Sequence, residues 1–319
     1  MGSVVKVHVA SSPLERRSWA QKYFGGSLLV VAAAGLWGTT GTAQHFAPKG
    51  ADSLSLGTVR IIIGGIALVL IAPKVRVPWR AEWRASFAGA VCVAVYQLSF
   101  FVAVRRTGVA VGTIVALGSA PVFAGVLDWR RTGHVPSRRW AAASALAVTG
   151  GTILIASRGT LDIDTEGVLL ALLAGLGYSI YALAGKHLVE AGWPSGVVMA
   201  THFMGGAILM SPILFFQPLH WLLTTRGIAV ELHLGLITTA VAYMMFGRAL
   251  RTTSVGAVAT LSLAEPLTAT LLGLFVLHER INAAGILGCL ILALGLATAA
   301  RSTAGRGRPT ARASRTPTQ

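Results

Sequence analysis

Long apolar runs separated by short polar clusters recur from one end of the 319-residue chain to the other. Many are about 20 residues long, the length a helix needs to cross about 30 Å of hydrocarbon. Ten fall at 26–46, 53–72, 86–104, 108–127, 140–157, 167–186, 195–217, 230–249, 254–277 and 281–300. Together they take up about two-thirds of the chain, which leaves no room for a soluble domain between them. The pattern predicts an all-α polytopic membrane protein with ten transmembrane helices.

Composition agrees. Apolar residues make up 54% and charged residues 12%, against about 25% charged in a typical soluble domain. Many of the 37 glycines lie inside the runs, as in Gly64-Gly65, Gly150-Gly151 and Gly205-Gly206. Helices in lipid gain little from hydrophobic segregation, so close approach through small residues matters more. Gly108-x-x-x-Gly112 has the spacing of such a contact. All tryptophans except Trp37 lie in loops or near span ends, as interfacial anchoring predicts.

Charge placement decides what the net +16 means. With a cytoplasmic N-terminus, most of the 27 lysines and arginines fall in the tails and even-numbered loops, which is the positive-inside pattern rather than a nucleic-acid footprint. Both termini are then expected in the cytoplasm. Asp162, Asp164 and Glu166 lie together in the fifth loop, on the predicted outer side. The first run is longer than a usual signal-peptide core and is taken as a permanent helix. Residues 1–25 read as a cytoplasmic tail and 301–319 as a disordered basic tail. Cys92 and Cys289 sit in apolar runs as small core residues.

The chain repeats itself. AGLWG at 34–38 returns as AGLGY at 174–178, and Gly64-Gly65 returns as Gly205-Gly206. Arg106-Thr107, Pro121 and Gly150 return as Arg251-Thr252, Pro266 and Gly295. The repeats span 26–157 and 167–300, joined by an outer linker at 158–166. Each has five spans, an odd number, so the second crosses the membrane in the opposite sense. Inverted repeats are a recurring plan of secondary transporters, with the site near the midplane at interrupted helices. Pro121 and Pro266 are the expected helix breaks. A phosphate-binding G-x-x-x-x-G-K-[ST], a zinc H-E-x-x-H and a G-x-S-x-G elbow are absent from the sequence, and no enzymatic activity is expected.

The stretch AYMMFGRALRTTSVGAVATLSLAEPLTATLLGLFVLHERINAAGILGCLILALGLAT, from Ala242 to Thr298, resembles the second EamA repeat of the ten-helix drug/metabolite transporter superfamily. GLWG at 35–38, the arginine in the second span and GTIVALGSAPVFAGVL at 112–127 resemble the first. The resemblance implies two inverted five-helix EamA repeats around a central cavity, in a transporter of the bacterial inner membrane, most often an exporter. The halves differ chemically: Ser119-Ala120-Pro121 stands where the second half has Ala264-Glu265-Pro266. The fourth loop also lacks a counterpart of Glu279-Arg280.

Glu265 lies near the middle of the ninth span, where an ionised carboxylate costs about 2.5–3.5 kcal/mol on the insertion scale. An acid there defaults to function, and Ser262, Glu265 and Ala269 share one helical stripe. It is expected to load a proton; the alternatives are a fixed binding group and a packing carboxylate that caps backbone donors freed near Pro266. Arg60, about 10 Å into the second span, either pairs with Glu265 or with a substrate carboxylate, or snorkels to the interface. His202 is a weaker candidate. Trp37, Tyr96, Gln97, Tyr178, Tyr181 and Tyr243 are mid-span aromatics and an amide that suit a cavity wall.

The expected function is a proton-linked or facilitated exporter of a small polar metabolite, with amino acids favoured. A pump for lipophilic cations and a non-transporting assembly or lipid-handling protein are the rivals; a cavity arginine disfavours the first rival. No cofactor or metal is expected. The expected partners are a small-molecule substrate and the lipid bilayer, with a second copy of the chain as a candidate and no nucleic acid.

Overall fold

The computed structural model describes residues 13–157 and 164–305, and every regular element among them is helical. In the first half α1 (Pro13–His45), α2 (Ser53–Ile71), α3 (Trp79–Thr132) and α4 (Arg138–Ala156) follow one another. The second half opens with α5 (Thr165–Glu190) and α6 (Ser195–Met210), which continues as a 3-10 stretch to Phe216. Next, α7 (Thr225–Leu232), a π-helical stretch (His233–Val241) and α8 (Ala242–Ala249) run on as one span. The last two spans are α9 (Val255–Ser262) with α10 (Ala264–Phe275), and α11 (Ala283–Gly305).

Nine helices among the described residues are long and apolar enough to cross a membrane. One of them, α3, has 54 residues, about 80 Å at 1.5 Å per residue and far more than one crossing needs. It turns at Gly108, whose φ of 77° and ψ of 163° suit glycine and no other residue. Beyond the turn the two arms pack back on each other: a Cβ at Gly112 would lie 3.1 Å from Val104 Cα. Thus α3 makes two crossings and the described residues ten. Gly108-x-x-x-Gly112, expected as a helix-packing pair, is instead the hinge and inner face of this hairpin.

Ion pairs join loops that the alternation of spans puts on one side. Arg106, after the third span, meets Glu166 at 2.5 Å and Asp164 at 3.7 Å. At the opposite end Glu82 meets His187 at 2.9 Å, and Arg131 pairs with Glu190.

The two halves cross most closely where α4 meets α11. A Cβ at Gly150 would meet the Leu292 backbone and lie 2.9 Å from the Gly288 carbonyl oxygen. One at Gly295 would meet the Ala147 backbone and lie 3.0 Å from the Ala143 carbonyl oxygen. Every residue in the second contact is related to one in the first by the offset that relates Pro121 to Pro266. The sequence repeat is therefore a spatial two-fold at this crossing.

Three boundaries differ from expectation. Helix α1 already begins at Pro13, inside the expected tail, a proline being well tolerated in a first helical turn. Helix α11 runs on to Gly305, into the expected disordered tail. The rest of both tails and most of the linker at 158–166 lie outside the described residues. The third concerns Pro121, which sits within α3 without interrupting it: the non-helical residues of α3 are Glu82 and Gly108. Beside the proline, Ser179 of α5 donates to the Ala120 carbonyl oxygen at 3.0 Å, which ties this turn of α3 to α5.

Candidate functional site

Pro266 acts differently from Pro121. Its missing N–H leaves the Ser262 carbonyl without its helical donor, and the span divides there into α9 and α10. Leu263 between them has ψ of −2° and donates to Thr260 in a tight turn at 3.2 Å. Glu265 therefore stands in the first turn of α10 rather than mid-helix. The GLWG stretch of α1 crosses this break at close range. A Cβ on Gly38 would lie 2.8 Å from the Glu265 carbonyl oxygen, so glycine is what lets the two backbones meet.

Beside the break lies a cavity of about 560 Å³, lined by residues of both halves. Its lining includes Trp37, Arg60, Tyr96, Tyr178, Tyr243, Ser262, Glu265 and Ala269. Gln44 and Ser53 also line it, so it reaches toward the end of the bundle where α1 gives way to α2, the predicted outer side.

Arg60 does not snorkel. It is half-buried, and its Nη2 donates to Gln97 Oε1 at 3.1 Å. Glu265 is also half-buried, and among the described residues its carboxylate has no hydrogen-bond or ion-pair partner. Among the described residues no direct ion pair joins Arg60 to Glu265, one of the alternatives raised for Arg60. The two side chains thus face one cavity without pairing directly.

Below the cavity the aromatic rings pack on one another. Trp37 and Tyr243 have ring centroids 5.0 Å apart, Tyr243 and Phe203 3.9 Å, and Tyr178 and Tyr181 5.2 Å. Tyr178 Oη lies 2.8 Å from Ser262 Oγ, and Ser262 in turn donates to the Val258 carbonyl oxygen at 3.0 Å. Further along the same helices a second hollow, of about 520 Å³, is lined by Asp128, Arg131, Lys186 and Glu190. There Lys186 Nζ donates to the Leu250 carbonyl oxygen at 2.7 Å and meets Glu190 at 3.4 Å. The ring cluster, which also takes in Phe246 at 5.8 Å from Tyr243, lies between the two hollows, because Tyr181 precedes Lys186 on α5 and Phe246 lies one turn before Leu250 at the end of α8.

Of the residues singled out from sequence, Trp37, Arg60, Tyr96, Tyr178, Tyr243, Ser262, Glu265 and Pro266 line the cavity. Gln97 reaches it only through Arg60. Tyr181 is fully buried in the ring cluster below. His202 is outside the site: its ring is packed against Gly89, whose lack of a side chain makes room for it. Pro121 is not on the lining. The pattern missed Glu231, a carboxylate 1% exposed near the start of the eighth span, and His233, whose Nε2 lies 2.8 Å from Thr39 Oγ1 of α1.

Ten membrane crossings in two related halves, enclosing a charged and aromatic cavity that reaches one end of the bundle, define a membrane transporter. The EamA-like transporter family matches the chain twice, at residues 24–157 and 165–301. The chain belongs to that family. It is 42% identical over 274 residues to the uncharacterized transporter YwfM of Bacillus subtilis, covering 85% of this chain and 92% of that one. Protein PecM of Dickeya dadantii is 27% identical over 266 residues, covering 81% and 86%. A solved crystal structure superposes with a TM-score of 0.73 at 21% identity, over 87% of this chain and 98% of the other, a likeness of fold.

Proposed function

We propose that the chain carries a small zwitterionic metabolite, an amino acid in the first instance, across a bacterial inner membrane by alternating access, with export as the working direction. The observation that supports this reading is the pair of opposite charges in one cavity. Arg60 offers guanidinium donors to a carboxylate, and Glu265 offers an acceptor to an ammonium group. Because the two are not paired with each other, a substrate carrying both charges satisfies both at once. The aromatic floor takes the substrate's apolar side chain, and a volume of about 560 Å³ falls in the range of small-molecule sites, roughly 300–1,000 Å³. A lipophilic cation meets Glu265 favourably but is repelled by Arg60.

In this reading Glu265 moves from the proton-carrying role expected of it to that of a binding group, since it faces an open cavity. The test is flux of a panel of labelled amino acids in proteoliposomes. Saturable exchange of at least one, insensitive to lipophilic dyes, is the expected result. Dye transport with no amino-acid exchange would sink the proposal.

A further inference from the structure

We infer that Glu231, outside the cavity lining, is a proton-carrying site of this transporter, and that it shares Arg60 as counter-ion with the substrate's carboxylate. The inference rests on the reading of Arg60 given above. Glu231 is 1% exposed, and neither carboxylate oxygen has a hydrogen-bond partner. It lies on α7, the start of a span that enters the membrane at Thr225, while α2 enters at Ser53. Both spans cross in the same direction, which puts Glu231 and Arg60 at one depth, about 9–10 Å in at 1.5 Å per residue. One turn beyond Glu231 the two elements touch: a Cβ on Gly235 would lie 3.4 Å from the Arg60 carbonyl oxygen, and one on Gly64 would lie 2.9 Å from the Gly235 carbonyl oxygen. Arg60 Nε is also buried without a partner. At one level of two packed elements, then, an arginine N–H and two carboxylate oxygens are all unsatisfied.

The other titratable groups nearby are placed elsewhere. Arg60 is the one charged residue of α2. On the π-helical stretch His233 is turned to Thr39. His220, on the 3-10 helix before α7, is exposed and lies beside Gly50, and Arg226 of α7 is exposed. Arg60 is the cation available to Glu231, and on its cavity side it shares the lining with Glu265.

A carboxylate buried without a partner is far costlier ionised than neutral. Two arrangements avoid that cost. In one, Arg60 is turned to Gln97 and the cavity, and Glu231 holds a proton. In the other, Arg60 turns to Glu231, which has released its proton to water. A substrate carboxylate on Arg60 favours the first arrangement, so substrate and proton are bound together and travel in the same direction, and export is then driven by the substrate's own outward gradient. The helical irregularity at His233–Val241 is a place where such a rearrangement can be absorbed.

Infrared difference spectroscopy of the purified protein across a pH series tests the proton site without any substrate. The native protein is expected to show the carbonyl stretch of a protonated buried acid, absent from Glu231→Gln, displaced in frequency in Glu231→Asp and retained in Glu265→Gln. A native spectrum without that band, or a band unchanged in both Glu231 variants, overturns the site. Coupling is tested in proteoliposomes loaded with an exchanged amino acid. Efflux is expected to make the lumen more alkaline in the native protein, and Glu231→Gln to keep exchange within about twofold while losing that signal. Lumenal acidification, or a native signal in the variant, overturns the shared counter-ion. Absence of any amino-acid exchange by the native protein counts against the substrate reading, and with it the sharing of Arg60, while the infrared outcome still decides the proton site.

Discussion

The crossing of α4 with α11 and the prolines at Pro121 and Pro266 come from the same repeat, but they keep it to different degrees. At the crossing, Gly150 and Gly295 meet the opposite half through residues in matching register. At the prolines the match is only in sequence. Pro121 lies in unbroken helix, with the adjacent Ala120 carbonyl held by Ser179, whereas Pro266 divides its span and sets Glu265 against the cavity. The scaffold is two-fold, and the site is not. Packing demands only shape, which both halves can supply. The cavity charges are not duplicated: Arg60 comes from the first half and Glu265 from the second, where Ala120 stands in the first.

Breaking the symmetric part should have the largest effect. Gly150→Val puts a branched side chain against the Leu292 and Gly288 backbones, which cannot retreat without parting the helices. Such overpacking typically costs about 1–3 kcal/mol and sometimes more. A collapsed melting temperature and aggregation on size-exclusion chromatography are expected. Gly151→Ala is the control, because its Cβ would meet nothing within 4 Å.

Substitutions in the asymmetric part should leave folding intact and weaken transport. Losing a hydrogen bond to a charged group costs about 1.5–3 kcal/mol, or roughly 10- to 100-fold in affinity. Arg60→Ala and Glu265→Gln are each expected to raise the apparent KM by that factor, measured by exchange in proteoliposomes. Arg60→Lys should recover only part of the loss, since an ammonium lacks the planar fork of the guanidinium. Full activity in both Arg60 variants would remove that residue from the site.

The smallest effect sharpens the contrast between the prolines. Pro121→Ala should leave exchange within about twofold of native, whereas Pro266→Ala, by restoring a backbone donor at the break, should slow turnover several-fold. Equal effects would mean that the two positions act alike.

Much of this was legible in the chain. Ten crossings, two halves and a cavity carrying Arg60 and Glu265 follow from apolar run lengths and from charges placed where lipid makes them costly. The α3 hairpin was less legible, because glycines spaced four apart serve a hinge as readily as a helix contact. Pro121 and Pro266 occupy matching positions in the repeat, and although their neighbours differ in sequence, nothing in those residues says that the span divides at one and runs through the other. Glu231 escaped notice because the apolar run there begins at 230, where a charge sits acceptably at an interface. The helix in fact starts earlier, with Thr224 Oγ1 accepting from the Gly227 N–H at 3.0 Å, and this carries Glu231 inward.

The central claim is that Arg60 takes the substrate's carboxylate and Glu265 its ammonium. The most direct measurement compares an exchanged amino acid with its methyl ester and its N-acetyl derivative as inhibitors of exchange, in the native protein, Arg60→Gln and Glu265→Gln. Matched losses are predicted: the penalty for the ester should disappear in Arg60→Gln alone, and that for the N-acetyl derivative in Glu265→Gln alone. Penalties that persist unchanged in both variants would contradict the account.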